Sequence, residues 1–168
     1  MSEYAWELVT DELPFTERDG SGLLAFHDSL WLLGGWDPPF HPPNYTHSEV
    51  WSTADGVDWV FHGDAPWMGR HVSGWLMHDD AMWVIGGDTQ SGCLRDVWRS
   101  EDGQVWSQVL DTIPGFLPLR NSHMTASLDG AILNFGGQPN AYIPENLAQV
   151  WRSPDGLEWE QLPGAPWK

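Results

Sequence analysis

The sequence predicts an all-β fold built from three repeated units, each holding four short strands. Pairs of glycines recur at intervals of 52 and 50 residues, at Gly34-Gly35, Gly86-Gly87 and Gly136-Gly137. A Val-Trp pair and then a Ser/Thr-x-Asp-Gly motif follow each glycine pair in the same order. The 168 residues include 18 Gly and 13 Pro, which disfavour long helices. Landmarks that recur three times in one order indicate a repeat protein.

Two short apolar segments open each unit and predict its first two strands. In the first unit they are residues 22–27 and 30–33, joined by a turn at Asp28-Ser29 and ended by the glycine pair. The matching segments are residues 74–78 with 81–85, and residues 124–128 with 131–135. Continuous apolar runs of this length are typical of strands that are buried on both faces.

A Val-Trp pair and a second tryptophan eight residues later predict the third and fourth strands. The pairs are Val50-Trp51, Val97-Trp98 and Val150-Trp151, and the later tryptophans are Trp59, Trp106 and Trp159. Between them lie the turns Asp55-Gly56, Asp102-Gly103 and Asp155-Gly156. Glycine supplies the positive φ that such a turn requires, so we interpret the motif as a hairpin device.

An arginine precedes each glycine pair by 16 residues, at Arg18, Arg70 and Arg120. With these landmarks the units cover approximately residues 18–62, 70–109 and 120–162. Residues 1–168 are interpreted as a single repeat segment that contains all three units. Residues 5–9 contain a Trp-Glu-Leu sequence similar to the start of the last fourth strand, and predict an extra N-terminal strand.

This pattern resembles kelch repeats, which place an Arg before the first strand, a Gly pair at the end of the second, and spaced aromatic residues on the third and fourth. The resemblance covers residues 4–167. The Asp-Gly turn is similar to that of bacterial kelch proteins and, more loosely, to the Asp-box of sialidase propellers, which has one more residue between Asp and Gly. The resemblance implies a β-propeller with one four-stranded blade per unit, its tryptophans packed between blades.

Three blades are too few to close a ring, because propellers typically have about 4–8. The chain is therefore expected to be half of a six-bladed ring completed by a second copy, or a fragment of a longer propeller. An open three-bladed form would expose apolar blade faces and edges, so it is the least favoured of the three.

Charge and cysteine content exclude several classes of function. Only 7 Lys and Arg stand against 24 Asp and Glu, a net charge of −17, which argues against nucleic-acid or anionic-membrane partners. Cys93 is alone, so no intrachain disulfide is possible. The first seven residues lack a signal-peptide pattern, and no apolar run is long enough to span a membrane, so we expect a cytoplasmic protein.

In kelch propellers the loops that enter the first strand and those that follow the Gly pair share one face, which commonly binds ligands. That resemblance implies ten ligand-binding candidates in these loops: Arg18, Arg70, His71, Arg120, His123, Trp36, Tyr45, Asp88, Gln138 and Tyr142. The same loops also carry Asp19, Asp37, Phe40, His41, Asn44, His47, Thr89, Gln90, Asn121, Ser122, Asn140, Glu145 and Asn146. Three symmetric arginines would form a positive focus suited to a carboxylate or phosphate. Alternatively, each arginine pairs with a neighbouring carboxylate and is structural.

The leading functional hypothesis is a non-catalytic module that recognises a protein or a small anionic ligand on its loop face. The alternative is a carbohydrate-active enzyme such as a sialic acid mutarotase, for which Arg70, His71, Arg120, His123 and Glu145 could supply the groups. A third reading is an assembly unit with no ligand of its own. The sequence identifies no catalytic residue with certainty.

No metal or cofactor is expected. The seven histidines form no closely spaced cluster of the kind that holds a metal. Galactose oxidases share the kelch architecture and use copper with a Cys-linked Tyr. The three tyrosines of this chain and Cys93, in a short loop, do not match that site.

Overall fold

The computed structural model describes residues 5–37, 45–89, 91–115, 123–137, 148–164 and 166. It confirms the predicted all-β class, with three four-stranded antiparallel sheets consistent with three propeller blades. Blade 1 contains β1 (Gly22–Phe26), β2 (Ser29–Leu33), β3 (Glu49–Thr53) and β4 (Trp59–Asp64); blade 2 contains β5 (Gly74–His78), β6 (Ala81–Thr89), β7 (Gly92–Ser100) and β8 (Ser107–Leu110); blade 3 contains β9 (Met124–Leu128), β10 (Ala131–Phe135), β11 (Val150–Ser153) and β12 (Glu160–Leu162). Within these ranges, no helix of the length and apolar character needed to cross a membrane is found.

The first hairpin of each blade has a two-residue turn. In blade 1 the turn residues are His27 and Asp28, with φ of 45° and 57°, rather than the expected Asp28-Ser29. Two successive residues at positive φ give the turn a twist that matches the right-handed twist of its strands. Ser29 is thereby free to pair with Phe26 as the first residue of β2.

Residues 5–9 differ from the expectation of an extra strand. They form no strand, and their side chains are exposed, that of Trp6 almost completely (99%). Blade 1 already takes all four of its strands from residues 22–64, so the N-terminal segment has no place in that sheet.

The blades pack side by side through their inner strands, β1 against β5 and β5 against β9. We call the face of a blade that points to the next blade along the chain its forward face, and the opposite face its backward face. One apolar cluster fills the space between the forward face of blade 1 and the backward face of blade 2, and includes Leu24, Trp31 and Val84. A second cluster lies between blades 2 and 3 and includes Trp83 and Ile132.

The first two strands of the end blades are not buried on both faces, contrary to the expectation. Residues of β6 are buried on both faces, but β1 alternates between buried and exposed and β9 is mostly exposed. The reason is positional, because blade 2 has a neighbour on each side whereas blades 1 and 3 each have one face without a neighbour.

The Asp-Gly turns show the hydrogen bonds expected of a hairpin device. In blade 1 the Thr53 hydroxyl accepts a bond of 2.8 Å from the Gly56 N–H, and Asp55 Oδ1 accepts bonds of 2.9 Å from Val57 and Asp58. Ser100 with Asp102, and Ser153 with Asp155, repeat this arrangement. These backbone N–H groups hold the pKa of each of the three aspartates below its ordinary value.

The glycine of this turn also has a packing role that sequence reasoning missed. A Cβ on Gly103 would collide with the ring of Trp31 on the forward face of blade 1. A Cβ on Gly156 would collide in the same way with Trp83 of blade 2. Each turn thus accepts a large ring from the preceding blade, so the motif fixes the contact between blades as well as the hairpin.

Candidate functional site

Arg18 and Arg70 each pair with a carboxylate of their own blade, which is the structural role considered for these arginines in the sequence analysis. The side chain of Arg18 is only 4% exposed and lies 2.9 Å from Glu49 Oε2, and it also donates to the Gly34 carbonyl oxygen at 3.3 Å. Arg70 is fully buried (0% exposed) and donates to both carboxylate oxygens of Asp96, at 2.7 and 2.8 Å. Both guanidinium groups are thus occupied by carboxylates on the third strand of their blade, and these two do not form the positive focus. Arg120 lies outside the described residues.

Glu49 belongs to a small polar network with Arg18, His47 and Asp37. The ring of His47, whose Nδ1 lies 3.6 Å from Glu49 Oε1, contributes most to lowering the pKa of Glu49 to about 2; burial opposes the shift, and Trp51 and Arg18 reinforce it. His47 Nε2 in turn lies 3.9 Å from Asp37, which is buried. These groups therefore lie within ion-pair distance of one another.

In blades 1 and 2, a short antiparallel bridge joins the entry loop to the post-glycine loop. Asp19 and Trp36 exchange two backbone hydrogen bonds, of 2.9 and 2.8 Å. His71 and Asp88 exchange two bonds of 3.0 and 2.9 Å at the equivalent position of blade 2. In both blades the residue directly after the arginine pairs with the residue directly after the glycine pair. This rule brings four side chains to the same end of neighbouring blades.

Between the two bridges lies an open cleft of about 320 Å³. Its lining residues are Asp19, Trp36, Thr46, His71, Asp88 and Thr89. The ring centres of Trp36 and His71 are 5.9 Å apart, so the two rings form one aromatic wall. The cleft combines a flat apolar surface with two carboxylates and an imidazole.

His71 stands between the two carboxylates of the cleft. Its Nδ1 lies 3.4 Å from Asp19 Oδ1, and its Nε2 lies 3.7 Å from Asp88 Oδ2. Burial alone would lower the pKa of the ring, but hydrogen bonds to Asp88 and Asp19 and their negative charges outweigh burial and raise it. His71 can therefore hold a proton in the cleft at higher pH than an ordinary histidine.

Cys93 lies behind the cleft, with its thiol 3.5 Å from Asp88 Oδ1. Burial, followed by the charge of Asp88, raises the pKa of this thiol to about 12. The thiolate is the nucleophilic form of cysteine, and the raised pKa disfavours the thiolate at neutral pH.

Val72, next to His71, has an unusual backbone conformation. Its φ is +44°, which is rare for a β-branched residue, and its N–H donates to the Gly20 carbonyl oxygen at 2.9 Å. Gly20 occupies the same position in blade 1, with φ of +61°. Strained residues persist where surrounding contacts hold them, and they are concentrated at functional sites. The strain at Val72 therefore agrees with a role for the cleft.

The other sequence candidates lie elsewhere. Tyr45 accepts a backbone bond from Asp37 and does not line the cleft. His123 is buried, with its Nε2 3.1 Å from the Ile85 carbonyl oxygen, at the contact of blades 2 and 3. Gln138, Tyr142 and Glu145 lie outside the described residues. Thr46 carries no sequence signal, because it reaches the cleft through a bridge with Trp36 across a loop of variable length.

In the part of the chain that the structure describes, no group of three or more His, Cys, Asp or Glu is placed to hold a metal ion. No protein-family model matches the sequence, and no curated protein matches it significantly. The site is therefore interpreted from its own geometry.

Proposed function

We propose that this chain is a kelch-type binding module whose cleft between blades 1 and 2 recognises a neutral polyhydroxylated ligand of the sugar class. The observation that carries the proposal is the convergence of Trp36, His71, Asp19 and Asp88 on one open cleft. A concave site with an aromatic wall and a few convergent polar groups is the usual form of a small-molecule site.

The chemistry of the cleft favours hydroxyl groups over anions. The carboxylates of Asp19 and Asp88 accept hydrogen bonds from hydroxyls, whereas they repel a carboxylate or phosphate. Arg18 and Arg70, the residues expected to attract an anion, already hold Glu49 and Asp96. The net charge of −17 adds a long-range field that disfavours anionic ligands. The flat face of Trp36 suits the apolar face of a sugar ring.

The test is a ligand-observed NMR screen of neutral sugars, sugar acids and phosphorylated sugars against the purified protein. We expect neutral sugars to bind, and the variants Trp36→Ala and Asp88→Asn to weaken the binding. Glu101→Gln changes an exposed acid far from the cleft and serves as the charge-matched control. Binding of sugar acids alone, or neutral-sugar binding that survives both cleft changes, contradicts the proposal. If no sugar of any class binds, the proposal is wrong, and a protein partner or an assembly role remains as the function of the chain.

An anomer-exchanging enzyme is the second candidate, favoured by the position of His71 between two carboxylates. Mutarotation needs one group that donates a proton to the ring oxygen and another that accepts a proton from the anomeric hydroxyl. Exchange spectroscopy on a bound sugar distinguishes the candidates, because an enzyme accelerates anomer exchange and loses that rate in His71→Gln, whereas a binding module leaves the rate unchanged.

A further inference from the structure

We propose that two copies of this chain join head to tail, each placing the backward face of its blade 1 on the forward face of blade 3 of the other copy. This inference concerns the two end blades and does not depend on the ligand proposed above. Both end faces carry exposed apolar side chains. Leu23 is 59% exposed on the backward face of blade 1, and Met124 and Leu128 are 71% and 57% exposed on the forward face of blade 3.

The two contacts inside the chain define how a forward face meets a backward face. At the start of the inner strand, Gly22 of blade 1 faces Trp75 of blade 2, and a Cβ on this glycine would lie 2.6 Å from the indole ring. Gly74 of blade 2 faces Thr125 of blade 3 in the same register, and a Cβ there would collide with the threonine methyl. One register therefore serves both contacts inside the chain.

Continuing this register to the end blades places Met124 opposite Leu23 of a second copy. Met124 occupies the position of Gly22 and Gly74, and Leu23 occupies the position of Trp75. Where the inner contacts pair glycine with a large or branched side chain, the end faces would pair two apolar side chains of intermediate size. The change on one face is thus compensated by a change on the other.

A second set of positions also corresponds to the inner contacts. Inside the chain, Trp31 fills the space above Gly103, and Trp83 fills the space above Gly156. The equivalent residue in blade 3 is Leu133 on β10, directly across from Ala126.

The turn that would receive Leu133 is the one at Gly56. A Cβ added to Gly56 would meet only Val9, in ordinary contact at 3.9 Å, so no large ring fills the space above this turn as it does at Gly103 and Gly156. Leu128 occupies the position of Phe26, which belongs to the apolar cluster that Met77 of blade 2 packs against, and the register sets Leu128 against Ala25 of the second copy. The end faces therefore extend the inner contact at three positions.

Phe15, in the N-terminal segment, does not block this arrangement. Phe15 packs on Trp51 and Trp59, with ring centres 5.4 and 5.1 Å apart. Its equivalent in blade 2 is Trp67, because each lies three residues before the arginine of its blade. Trp67 packs on Trp106, with ring centres 5.9 Å apart. Trp67 is buried within the closed contact of blades 1 and 2. A side chain at this position is therefore part of a blade contact rather than an obstacle to it.

The number of copies follows from the number of blades. Each chain offers one forward and one backward end face, so a closed assembly leaves no face uncovered. Two chains give six blades, which lies within the range of about 4–8 seen in propellers, whereas three chains would give nine.

Sedimentation equilibrium of the whole chain tests the assembly. We expect a mass of about 38 kDa, twice the 18.9 kDa of one chain. Leu23→Glu and Met124→Arg should each weaken the dimer at least about tenfold, because each puts an unpaired charge into an apolar contact. The double variant restores a Glu–Arg pair across both contacts and should recover association. Val105→Arg, at an exposed site in the turn of blade 2, is the control and should leave the mass unchanged.

A cysteine pair tests the register directly. In a Cys93→Ser background, Leu23→Cys with Met124→Cys should give a disulfide-linked dimer on mild oxidation, whereas either cysteine with Val105→Cys should not. Circular dichroism of every variant shows that the chain remains folded. A monomer at tens of micromolar, or a stable ring of nine or more blades, would overturn the proposal. A dimer whose stability does not change when Leu23 or Met124 is substituted would also overturn it.

Discussion

Arg70 binds both carboxylate oxygens of Asp96, 26 residues further along the chain, at 2.7 and 2.8 Å. The same carboxylate accepts the indole N–H of Trp98 at 2.7 Å. In blade 3 the equivalent acceptor for Trp151 is Gln149, at 3.3 Å. An amide at this position thus keeps the bond to tryptophan but lacks the charge.

Removing that carboxylate should destabilise the protein strongly. Asp96→Ala leaves the fully buried Arg70 without its counter-charge, and we expect a loss of about 3–5 kcal/mol. Asp96→Asn retains an acceptor for Trp98 and should lose less. Urea unfolding measures both. The control is Glu101→Gln, since the exposed pair with Arg99 should be worth less than about 1 kcal/mol. Equal effects at Asp96 and Glu101 would contradict the structural role.

The glycines of the Asp-Gly turns should differ in their tolerance of alanine. All three have positive φ, so each substitution carries a backbone cost of about 1–2 kcal/mol. Gly103→Ala also forces a methyl group against Trp31, adding about 1–3 kcal/mol. Gly56→Ala meets only Val9, in ordinary contact at 3.9 Å, and is the matched control.

The comparison is made by urea unfolding in a Leu23→Glu background, which removes the proposed contact between copies from the Gly56 measurement. Equal losses for Gly103→Ala and Gly56→Ala would show that the Trp31 contact contributes nothing.

Replacing Asn134 with an apolar residue should stabilise the folded protein. It is fully buried between blades 2 and 3, and neither atom of its amide has a hydrogen-bond partner among the described residues. Leu32 and Val84 occupy the same position in the other blades. Asn134→Val should therefore raise the free energy of unfolding by about 1–3 kcal/mol. Asn134→Asp introduces a buried charge and should lower it; a loss with valine would contradict this account.

Val72→Gly should also stabilise the protein. The substitution relieves a backbone strain of about 1–3 kcal/mol, offset in part by the greater freedom of glycine in the unfolded chain, about 0.5–1 kcal/mol. Gly20 shows that glycine suits the position. Thermal unfolding measures the gain, with Val105→Gly, an exposed turn position, as the control. Destabilisation of Val72→Gly beyond that control would mean that its side-chain contacts outweigh the strain.

His71 should make stability depend on pH. Its pKa is raised in the folded state, so its contribution is complete below the unfolded pKa of about 6.5 and is lost as pH rises through the folded pKa. The groups that face it are Asp19 and Asp88, with Cys93 beyond Asp88.

The measurement is the difference in melting temperature between the parent and His71→Gln from pH 5.5 to 8.5, which should shrink as pH rises. Glu49 titrates well below this window, because its pKa is about 2 and its contribution is lost only as pH falls from about 4.3 towards that value. A difference that stays constant or grows with pH would contradict the assigned direction.

Local chemistry made much of the fold predictable. The turn at Asp55-Gly56 depends on side chains within five residues of one another, so its hairpin could be predicted. Strand positions followed from short apolar runs for the same reason. The extension of β6 to Thr89 could not be predicted, because it depends on pairing with β7 beyond the glycine pair. Residues 5–9 look like a strand locally but have no sheet to join.

The candidate site was less accessible to sequence reasoning. Arg70 in a loop is compatible with either ligand binding or an ion pair, and only the position of Asp96 on β7 decides between them. Trp36, His71 and Asp88 were predicted as candidates, yet their convergence depends on two neighbouring blades. Thr46 enters through the same long-range pairing, which leaves no trace in the local sequence.

The sheet order has a consequence for how the chain acquires its structure. Each sheet uses four consecutive strands, so its pairings close within about fifty residues, and the main contacts between described strands of different blades join blades that are neighbours in the sequence. Such local connectivity favours rapid folding that can propagate from one blade to the next. During synthesis on the ribosome, blade 1 can be complete before blade 2 emerges. Each nascent blade presents Trp31 or Trp83 to solvent until the following Asp-Gly turn arrives to cover it.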